Sequence, residues 1–425
     1  MSEGGGFKQA LTMFKRLGTR DKLKVIISVV FTIFWLFAAI FLMIYSVVNA
    51  KVFPELGLDP RITSVIGALI GALSPWVYSA TRASIEMALR PVARMVLERA
   101  HIMPHEEFIS KFKDDPRFKN AFSEIRGVKI GIIEEFPGGL KNASEILCDI
   151  VDARRFYIPE VLRLMIEPFW EPLKQLAREE GIATWYQLKA RVKSWSPERM
   201  VLEGVSYLDA FIFHYAPDTL LGKKTLRDIL WPLVMRNGKL VPLEFSVFPN
   251  HLGVQALLIT KDGAFLITRR SIEVAVAKRA YAPPVEGTVN LPWSGGQRTL
   301  KELISNEVFY ELGLRSDEYE AYLISLARGT YVMGRPSAFI LLLARITSDE
   351  LRRRVPVDKW ESAGFKFEHL GLSVESIDDL ADKKVVKKLD GLLSRYVKEY
   401  SAPTLIFSLG KLIDALKELI ASPCT

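Results

Sequence analysis

The sequence predicts an α/β protein, in which an α/β/α sandwich with a mixed sheet follows a two-helix transmembrane hairpin and a mainly α region. Three observations predict this class. Two uncharged apolar runs lie near the N-terminus, helical periodicity follows them, and β-rich runs flank one helix beyond residue 243. With 425 residues, 49% of them hydrophobic, the chain can form several domains with substantial cores. The predicted parts are a cytoplasmic basic N-terminus (1–24), a transmembrane helix (25–48), an outer loop (49–61), a second transmembrane helix (62–81), an amphipathic and helical cytoplasmic region (82–242), the sandwich domain (243–372) and C-terminal helices (373–425).

The first apolar run, residues 25–48, reads VIISVVFTIFWLFAAIFLMIYSVV and contains no charged residue. As a helix it would extend about 36 Å, which exceeds the roughly 30 Å thickness of a bilayer core. The alternative is a cleaved signal peptide, but its apolar region is usually about 7–15 residues long. The length therefore favours a membrane-spanning helix.

The second run, residues 62–81, is also uncharged and contains Pro75, which a membrane helix tolerates. Its alternative is a buried helix of a soluble domain. Basic residues are abundant before the first run and after the second, and are few in the loop between them. The positive-inside rule then predicts a multi-pass protein of the cell membrane with both termini and the bulk of the chain in the cytoplasm.

The partners predicted from this part are lipid and a second copy of the chain. Gly67 and Gly71 have the spacing of closely packed membrane helices, either within the hairpin or in a homodimer. Residues 82–100 predict a basic amphipathic helix along the inner membrane surface. The net charge of +8 is assigned to contact with anionic lipid rather than nucleic acid, because no basic stripe is interleaved with aromatic residues. Cys148 and Cys424 form no disulfide framework, which fits a reducing compartment.

Between residues 101 and 242 apolar residues recur at helical spacing. Helices are predicted at IPEVLRLMIEPFWEPLKQLAREEG (158–181), TWYQLKARVKSW (184–195) and TLRDILWPLV (225–234). Three of the five histidines, His214, His251 and His369, are isolated in sequence, so they predict no catalytic triad.

The pattern changes near residue 243. LEFSVF (243–248), GVQALLIT (253–260) and AFLITRRS (264–271) are predicted strands, and Asp262-Gly263 is a hairpin turn between the last two. A helix at 299–312 and strands at 319–328 and 337–346 follow. Strands on both sides of one helix predict the α/β sandwich.

The predicted helix at 299–312 carries two glutamates, Glu307 and Glu311, at a spacing of four. Their side chains therefore leave one helix face about 5–6 Å apart. Two carboxylates so placed can hold Mg²⁺, which prefers oxygen ligands and often bridges to phosphates. The alternative is that the two glutamates only form a solvent-exposed helix face without a ligand. The apolar residues of the helix are expected to face the sheet: Leu300, Leu303, Ile304, Val308 and Leu312.

The region around this helix resembles the Nudix hydrolases, whose signature is Gly, five residues, Glu, seven residues and Arg-Glu-φ-x-Glu-Glu-x-Gly-φ, where φ is apolar. NEVFYELGL (306–314) matches its end, with Glu307, Glu311 and Gly313 in the family's positions. The pair Gly295-Gly296 resembles the family's entry to the loop and helix, and ALLITKDGAFLITRRS resembles its first hairpin. The resemblance covers about 130 residues and implies a Nudix-like fold for 243–372.

The same stretch departs from the family at several positions. Asn306 replaces the arginine of the helix, and Tyr310 replaces the first glutamate of the Glu-Glu pair. The interval from Gly296 to Gly313 is 17 residues, four fewer than in the family. Glu302 can stand in for the loop glutamate only if a gap is allowed, and it also fits an ordinary helix position.

The resemblance implies catalysis by a metal and a carboxylate that activates water. Glu307 and Glu311 would hold Mg²⁺ or Mn²⁺, with Glu302 as a further catalytic candidate. Glu286 and Glu361 are candidates for the general base by position alone. The predicted substrate-binding residues are Arg269, Arg270, Arg298, Gly295 and Gly296.

Two functions remain open on this evidence. In the first, the protein is a membrane-anchored, Mg²⁺-dependent hydrolase of a nucleoside diphosphate linked to another group. In the second, the Nudix-like domain is catalytically inactive and is a ligand-sensing or assembly module at the membrane. The Glu307–Glu311 pair favours the first function, while Asn306, Tyr310 and the shortened loop favour the second.

Overall fold

A computed structural model describes residues 102–160, 162, 188–218, 220–221, 224–270, 279–291, 295–355 and 362–421. The predicted membrane helices at 25–48 and 62–81, the glycine pair within the second of them and the amphipathic stretch at 82–100 lie outside these residues. Within the described part of the chain, no helix is both long enough and apolar enough to cross a membrane. The chain divides into two compact units, and the site described below belongs to the unit formed by residues 100–159, 184–220 and 224–425.

The described residues form strands and helices of very different lengths. The strands are β1 (Ser123–Ile125), β2 (Val128–Ile130), β3 (Ile132–Asn142), β4 (Leu147–Arg155), β5 (Leu188–Trp195), β6 (Arg199–Ser206), β7 (Leu220–Leu221), β8 (Lys224–Thr225), β9 (Met235–Arg236), β10 (Lys239–Leu240), β11 (Gly253–Ile259), β12 (Ala264–Arg270), β13 (Tyr281–Ala282), β14 (Val285–Thr288), β15 (Gly296–Thr299), β16 (Tyr319–Gly329), β17 (Arg335–Ala344) and β18 (Ser362–His369). The α-helices are α1 (His105–Phe112), α2 (Tyr207–Tyr215), α3 (Leu226–Leu230), α4 (Leu300–Leu312), α5 (Ser348–Arg354), α6 (Lys383–Lys398) and α7 (Pro403–Ala421).

The larger sheet has the order β13-β12-β11-β17-β16-β3, with β14 paired to β11 and β18 paired to β12. β11 and β17 are parallel, while the other pairs are antiparallel, so the sheet is mixed. Both β11 and β17 are buried along their whole length, as expected for strands covered on both faces. Helix α4 shares a core with one face of β11, and α7 contacts β11, β16 and β3. The predicted mixed α/β sandwich is confirmed.

The second sheet has the order β15-β4-β6-β5 and overturns the prediction of a mainly α region at 82–242. The stretch predicted as a helix at 184–195 contains strand β5 instead. Leu188, Val192 and Trp195 have helical spacing, which explains the error. Strand alternation determines the structure, because Ala190 and Val192 enter the core while Lys189 and Arg191 lie on the opposite face.

Two further predictions need correction. LEFSVF begins with a short 3₁₀ helix, Leu243–Phe245, rather than a strand. β3 pairs with β16, so the sandwich recruits residues from well before the predicted boundary at 243. The 158–181 helix falls mostly outside the described residues, whereas the helices predicted at 225–234 and in the tail are found at α3, α6 and α7.

The local signals in the sandwich are confirmed. The β11–β12 hairpin turns at Asp262-Gly263, where Gly263 has a φ of 70° and its N–H donates to the Thr260 carbonyl at 2.8 Å. The positive φ is easily adopted by glycine alone. Strands β16 and β17 and helix α4 lie where the sequence predicts them. One core connects α4 with strands of both sheets, and this core fixes the position of the candidate site.

Candidate functional site

Helix α4 begins and ends at residues that satisfy its free backbone groups. At its start, the Glu302 carboxylate accepts from the Thr299 N–H at 2.7 Å, and the Glu302 N–H donates to Thr299 Oγ1 at 3.2 Å, forming a capping box. At its end, Gly313 has a φ of 68° and donates to the Phe309 carbonyl at 2.8 Å. The five apolar residues predicted to face the sheet are all buried: Leu300, Leu303, Ile304, Val308 and Leu312. The orientation of the whole helix follows from that buried stripe.

This orientation presents Glu307 and Glu311 at partly exposed positions. The Glu307 carboxylate lies directly against Gly287 of β14, since a Cβ atom at Gly287 would come within 2.4 Å of Glu307 Oε2. Any larger residue at 287 would therefore displace the carboxylate. Gly287 is the glycine that makes room for the candidate site.

Glu302 does not join the other two glutamates. It precedes Glu307 by five residues, which places the two side chains about 140° apart around the helix axis. Its carboxylate is also engaged in the capping box. The structure thus gives Glu302 a structural role at the helix start, and the predicted catalytic trio is not assembled.

Two cations that the motif did not include lie at Gly287 and Glu307. Arg335, at the start of β17, donates to the Gly287 carbonyl at 3.0 Å and to Thr288 Oγ1 at 3.3 Å. Lys189, from β5, donates to Asn290 Oδ1 at 2.6 Å. Burial lowers the pKa of Lys189, the charge of Glu307 opposes that shift, and the charge of Arg335 adds to it. Glu307 and Lys189 therefore interact electrostatically.

The predicted phosphate ligand Arg270 lies on the other face of the sheet. Arg270 forms an ion pair with Glu286, whose second carboxylate oxygen accepts from Thr404 Oγ1 of α7 at 2.5 Å. Adjacent residues of a strand point to opposite faces, so Glu286 faces α7 while Gly287 faces α4. Neither Arg270 nor the candidate base Glu286 converges on Glu307.

Arg269, the neighbour of Arg270 in β12, contacts Tyr281 of β13. Its guanidinium lies over the Tyr281 ring at 6.0 Å, and Tyr281 in turn contacts the Tyr396 ring of α6, with 5.2 Å between centroids. The candidate base Glu361 lies outside the described residues. The predicted group of arginines is thus divided between separate parts of the domain.

Gly295, Gly296 and Arg298 precede α4 and join it to the second sheet. Gly295 and Gly296 have φ values of 59° and 91°, and β15 pairs with β4, where Arg298 is opposite Cys148. Arg298 is exposed. Their predicted roles in substrate binding stay predictions, and the glycine in contact with Glu307 is Gly287.

The donor set tests whether a resident divalent metal fits. Magnesium needs near-octahedral oxygen coordination, and nearby positive charge repels it. At α4 the structure offers Glu307 and Glu311, with Tyr310 at the position of the family's further glutamate, where it is 67% exposed. The described residues contain no cluster of three or more His, Cys, Asp or Glu side chains able to hold a metal. With Lys189 and Arg335 near Glu307, the donors that the described residues supply do not fit a resident Mg²⁺ or Mn²⁺ site.

A buried histidine pair lies next to these cations, although its members are far apart in sequence. The His214 and His251 rings are 5.0 Å apart, and His214 Nδ1 donates to the Val332 carbonyl at 2.8 Å. Burial, followed by the charge of Arg335, holds the pKa of His251 well below its usual value. No local sequence signal indicates this pair, because the fold alone brings the two residues together.

Comparison with known proteins gives matches among solved structures only. No protein-family model matches the chain, and no curated protein sequence matches it. The chain is similar to DR0079 from Deinococcus radiodurans (19% identity, 37% of this chain and 80% of that chain, TM-score 0.26). It is similar to a MutT protein from Methanosarcina mazei Go1 (16%, 40% and 96%, TM-score 0.25). It is also similar to RenU, a Nudix hydrolase from M. smegmatis (11%, 40% and 87%, TM-score 0.24).

Proposed function

We propose that the sandwich domain is a Nudix-like module that binds a phosphate-bearing small molecule beside α4 and does not hydrolyse it. One observation carries the proposal. Glu307 lies against Gly287 in a setting that Lys189 and Arg335 supply with positive charge, while the further carboxylate that hydrolysis requires is absent from the described residues around it. Positive charge of this kind suits a phosphate group.

The class of ligand follows from the Nudix resemblance of residues 243–372. That resemblance implies a nucleoside diphosphate linked to another group. The charges at α4 support a ligand with at least one phosphate, because a guanidinium and an ammonium both bind phosphate oxygens. Binding would couple α4 to β5 and β17, the strands that carry Lys189 and Arg335.

The contacts of the other candidate catalytic groups support binding without turnover. Glu302 caps α4, and Glu286 is paired with Arg270 on the opposite face of the sheet. Neither group is placed to take a proton from a water molecule near Glu307, which general-base catalysis requires. Hydrolysis is the second candidate function, and the surviving pair of Glu307 and Glu311 on one helix face favours it.

A ligand panel separates the two functions. Full-length protein in detergent is incubated with nucleoside-diphosphate derivatives in EDTA, in Mg²⁺ and in Mn²⁺, while product release and thermal unfolding are followed. We expect no turnover and a ligand-dependent rise in the unfolding temperature. The Glu307→Gln/Glu311→Gln variant is the control. Turnover that this variant loses would establish the hydrolase. The absence of both turnover and stabilisation would refute the ligand class.

We further propose that the chain is anchored in the cell membrane by residues 25–48 and 62–81, with the sandwich domain in the cytoplasm. The uncharged runs and the distribution of basic residues around them support this topology. Protease added outside sealed cells should leave the domain intact, whereas permeabilised cells should lose it. Digestion of the domain in sealed cells would refute the orientation.

A further inference from the structure

Two protein cations reach the segment that contacts Glu307. The Lys189 ammonium is anchored on Asn290 at 2.6 Å, and the Arg335 guanidinium is anchored on the Gly287 carbonyl at 3.0 Å. Lys189 and Arg335 are each 8% exposed. Gly287 and Asn290 are three residues apart, so both cations bind the segment whose Gly287 lies against the Glu307 carboxylate.

Because Lys189 is buried, its ammonium group needs a nearby negative charge, and Glu307 supplies one. Placing an ammonium group in the protein interior is costly unless a counter-charge accompanies it. Among the described residues, Glu307 is the acid whose charge raises the pKa of Lys189 against the effect of burial. The Gly287 carbonyl accepts from Arg335.

We propose that Lys189, supported by Arg335, takes the place of a divalent metal at Glu307, so that the site binds anionic ligands without a metal. The inference rests on the proposed function and extends it to the charge balance of the same site. Lys189 reaches the site from β5. Isolated backbone bridges join this strand to the rest of the domain, one between Lys189 and Asn290 and one between Arg191 and His251.

The chemistry of an ammonium group suits this role. It is a compact charge with three N–H donors, so it can neutralise a carboxylate and donate to phosphate oxygens at once. It carries one charge rather than two and is covalently held, so it needs no exchange with solvent. A divalent cation at Glu307 would additionally be repelled by Lys189 and Arg335.

Manganese binding to the full-length protein in detergent, without any phosphate ligand, tests directly whether Lys189 takes the place of a metal. The electron paramagnetic resonance signal of free Mn²⁺ is measured with wild type, Lys189→Met, Lys189→Arg and Lys189→Met/Glu307→Gln. We expect no stoichiometric binding by wild type or Lys189→Arg. Lys189→Met should bind one Mn²⁺ per chain at least about tenfold more tightly than wild type, since a like charge is removed. The double variant should lose that binding.

Pyrophosphate binding provides a second measurement that does not depend on the folding of Lys189→Met. Calorimetry on wild type should give the same affinity for free pyrophosphate in EDTA and in Mg²⁺, once the Mg²⁺ that pyrophosphate itself binds in solution is subtracted. Stoichiometric Mn²⁺ binding by wild type that Glu307→Gln abolishes would overturn the inference, as would a tenfold loss of pyrophosphate affinity in EDTA. Because the manganese measurement contains no phosphate, it remains decisive even where the proposed ligand class is wrong.

Discussion

Replacing Arg227 with methionine is expected to destabilise the protein by about 3–5 kcal/mol, the usual cost of breaking a buried ion pair. The Arg227 guanidinium is fully buried and donates twice to the Asp218 carboxylate, at 2.7 and 2.8 Å. It also donates to the Tyr331 carbonyl at 2.7 Å and lies 4.7 Å from the centre of the Phe108 ring. Methionine fills the space but leaves the Asp218 charge buried without its partner.

Urea unfolding followed by circular dichroism measures this loss. Arg236→Met, at an exposed position, is the matched control and should change the free energy of unfolding by less than about 0.5 kcal/mol. Since a typical domain is stable by about 5–15 kcal/mol, Arg227→Met should remove a large share of the total. A loss of unfolding free energy below about 1 kcal/mol would show that the Arg227–Asp218 ion pair contributes little more than the space its side chains fill.

The position of Arg227 connects this stability to the candidate site. The carbonyls that it binds belong to Thr330 and Tyr331, in the turn that leads from β16 to β17. Arg335, which donates to Gly287, is the first residue of β17. Loosening the turn should therefore also weaken ligand binding at α4, and pyrophosphate calorimetry on Arg227→Met would detect it.

The parts of the site that the sequence predicts are those fixed by local signals. Thr299 and Glu302 have capping-box spacing, and the buried stripe from Leu300 to Leu312 has helical spacing, so α4 and the common face of Glu307 and Glu311 could be predicted. The turn at Asp262-Gly263 likewise depends on neighbouring residues only. These features need no knowledge of the rest of the fold.

The parts that could not be predicted depend on residues distant in sequence. Lys189 bonds Asn290, which is 101 positions away, and it lies in a strand whose apolar residues also fit a helix. Glu286 and Gly287 are adjacent in sequence but face different helices, and this separates Arg270 from Glu307. A sequence motif gives the spacing of such residues but not the strand face on which each one lies.

Acidification should destabilise the protein strongly between about pH 6.5 and pH 4, because the buried His214 and His251 and the half-buried His105 are neutral in the folded state. Burial lowers the pKa of His105 to about 4 and that of His214 to about 3, and it holds the pKa of His251 well below 6.5. In the unfolded chain these rings have pKa values near 6.5. The unfolded state therefore binds up to three more protons, and stability falls as the pH falls through this range.

The hydrogen bonds of the two partnered rings explain why protonation is resisted. His105 Nε2 accepts from the Gly131 N–H at 2.9 Å, so a proton on that nitrogen would break the bond. His214 Nδ1 donates to the Val332 carbonyl, which leaves its other nitrogen deprotonated in a fully buried position. A charge on the His214 ring would also lie in the protein interior at high cost.

The slope of stability against pH is the quantity to measure. Each additional proton bound by the unfolded state contributes about 1.4 kcal/mol per pH unit, so three give up to about 4 kcal/mol per unit near pH 5. Urea unfolding at several pH values should show this slope, and His105→Gln should reduce it by about one third. Stability that stays constant from pH 6.5 to pH 5 would mean that the three rings titrate alike in both states, and would contradict their neutral burial around the candidate site and the N-terminal strands.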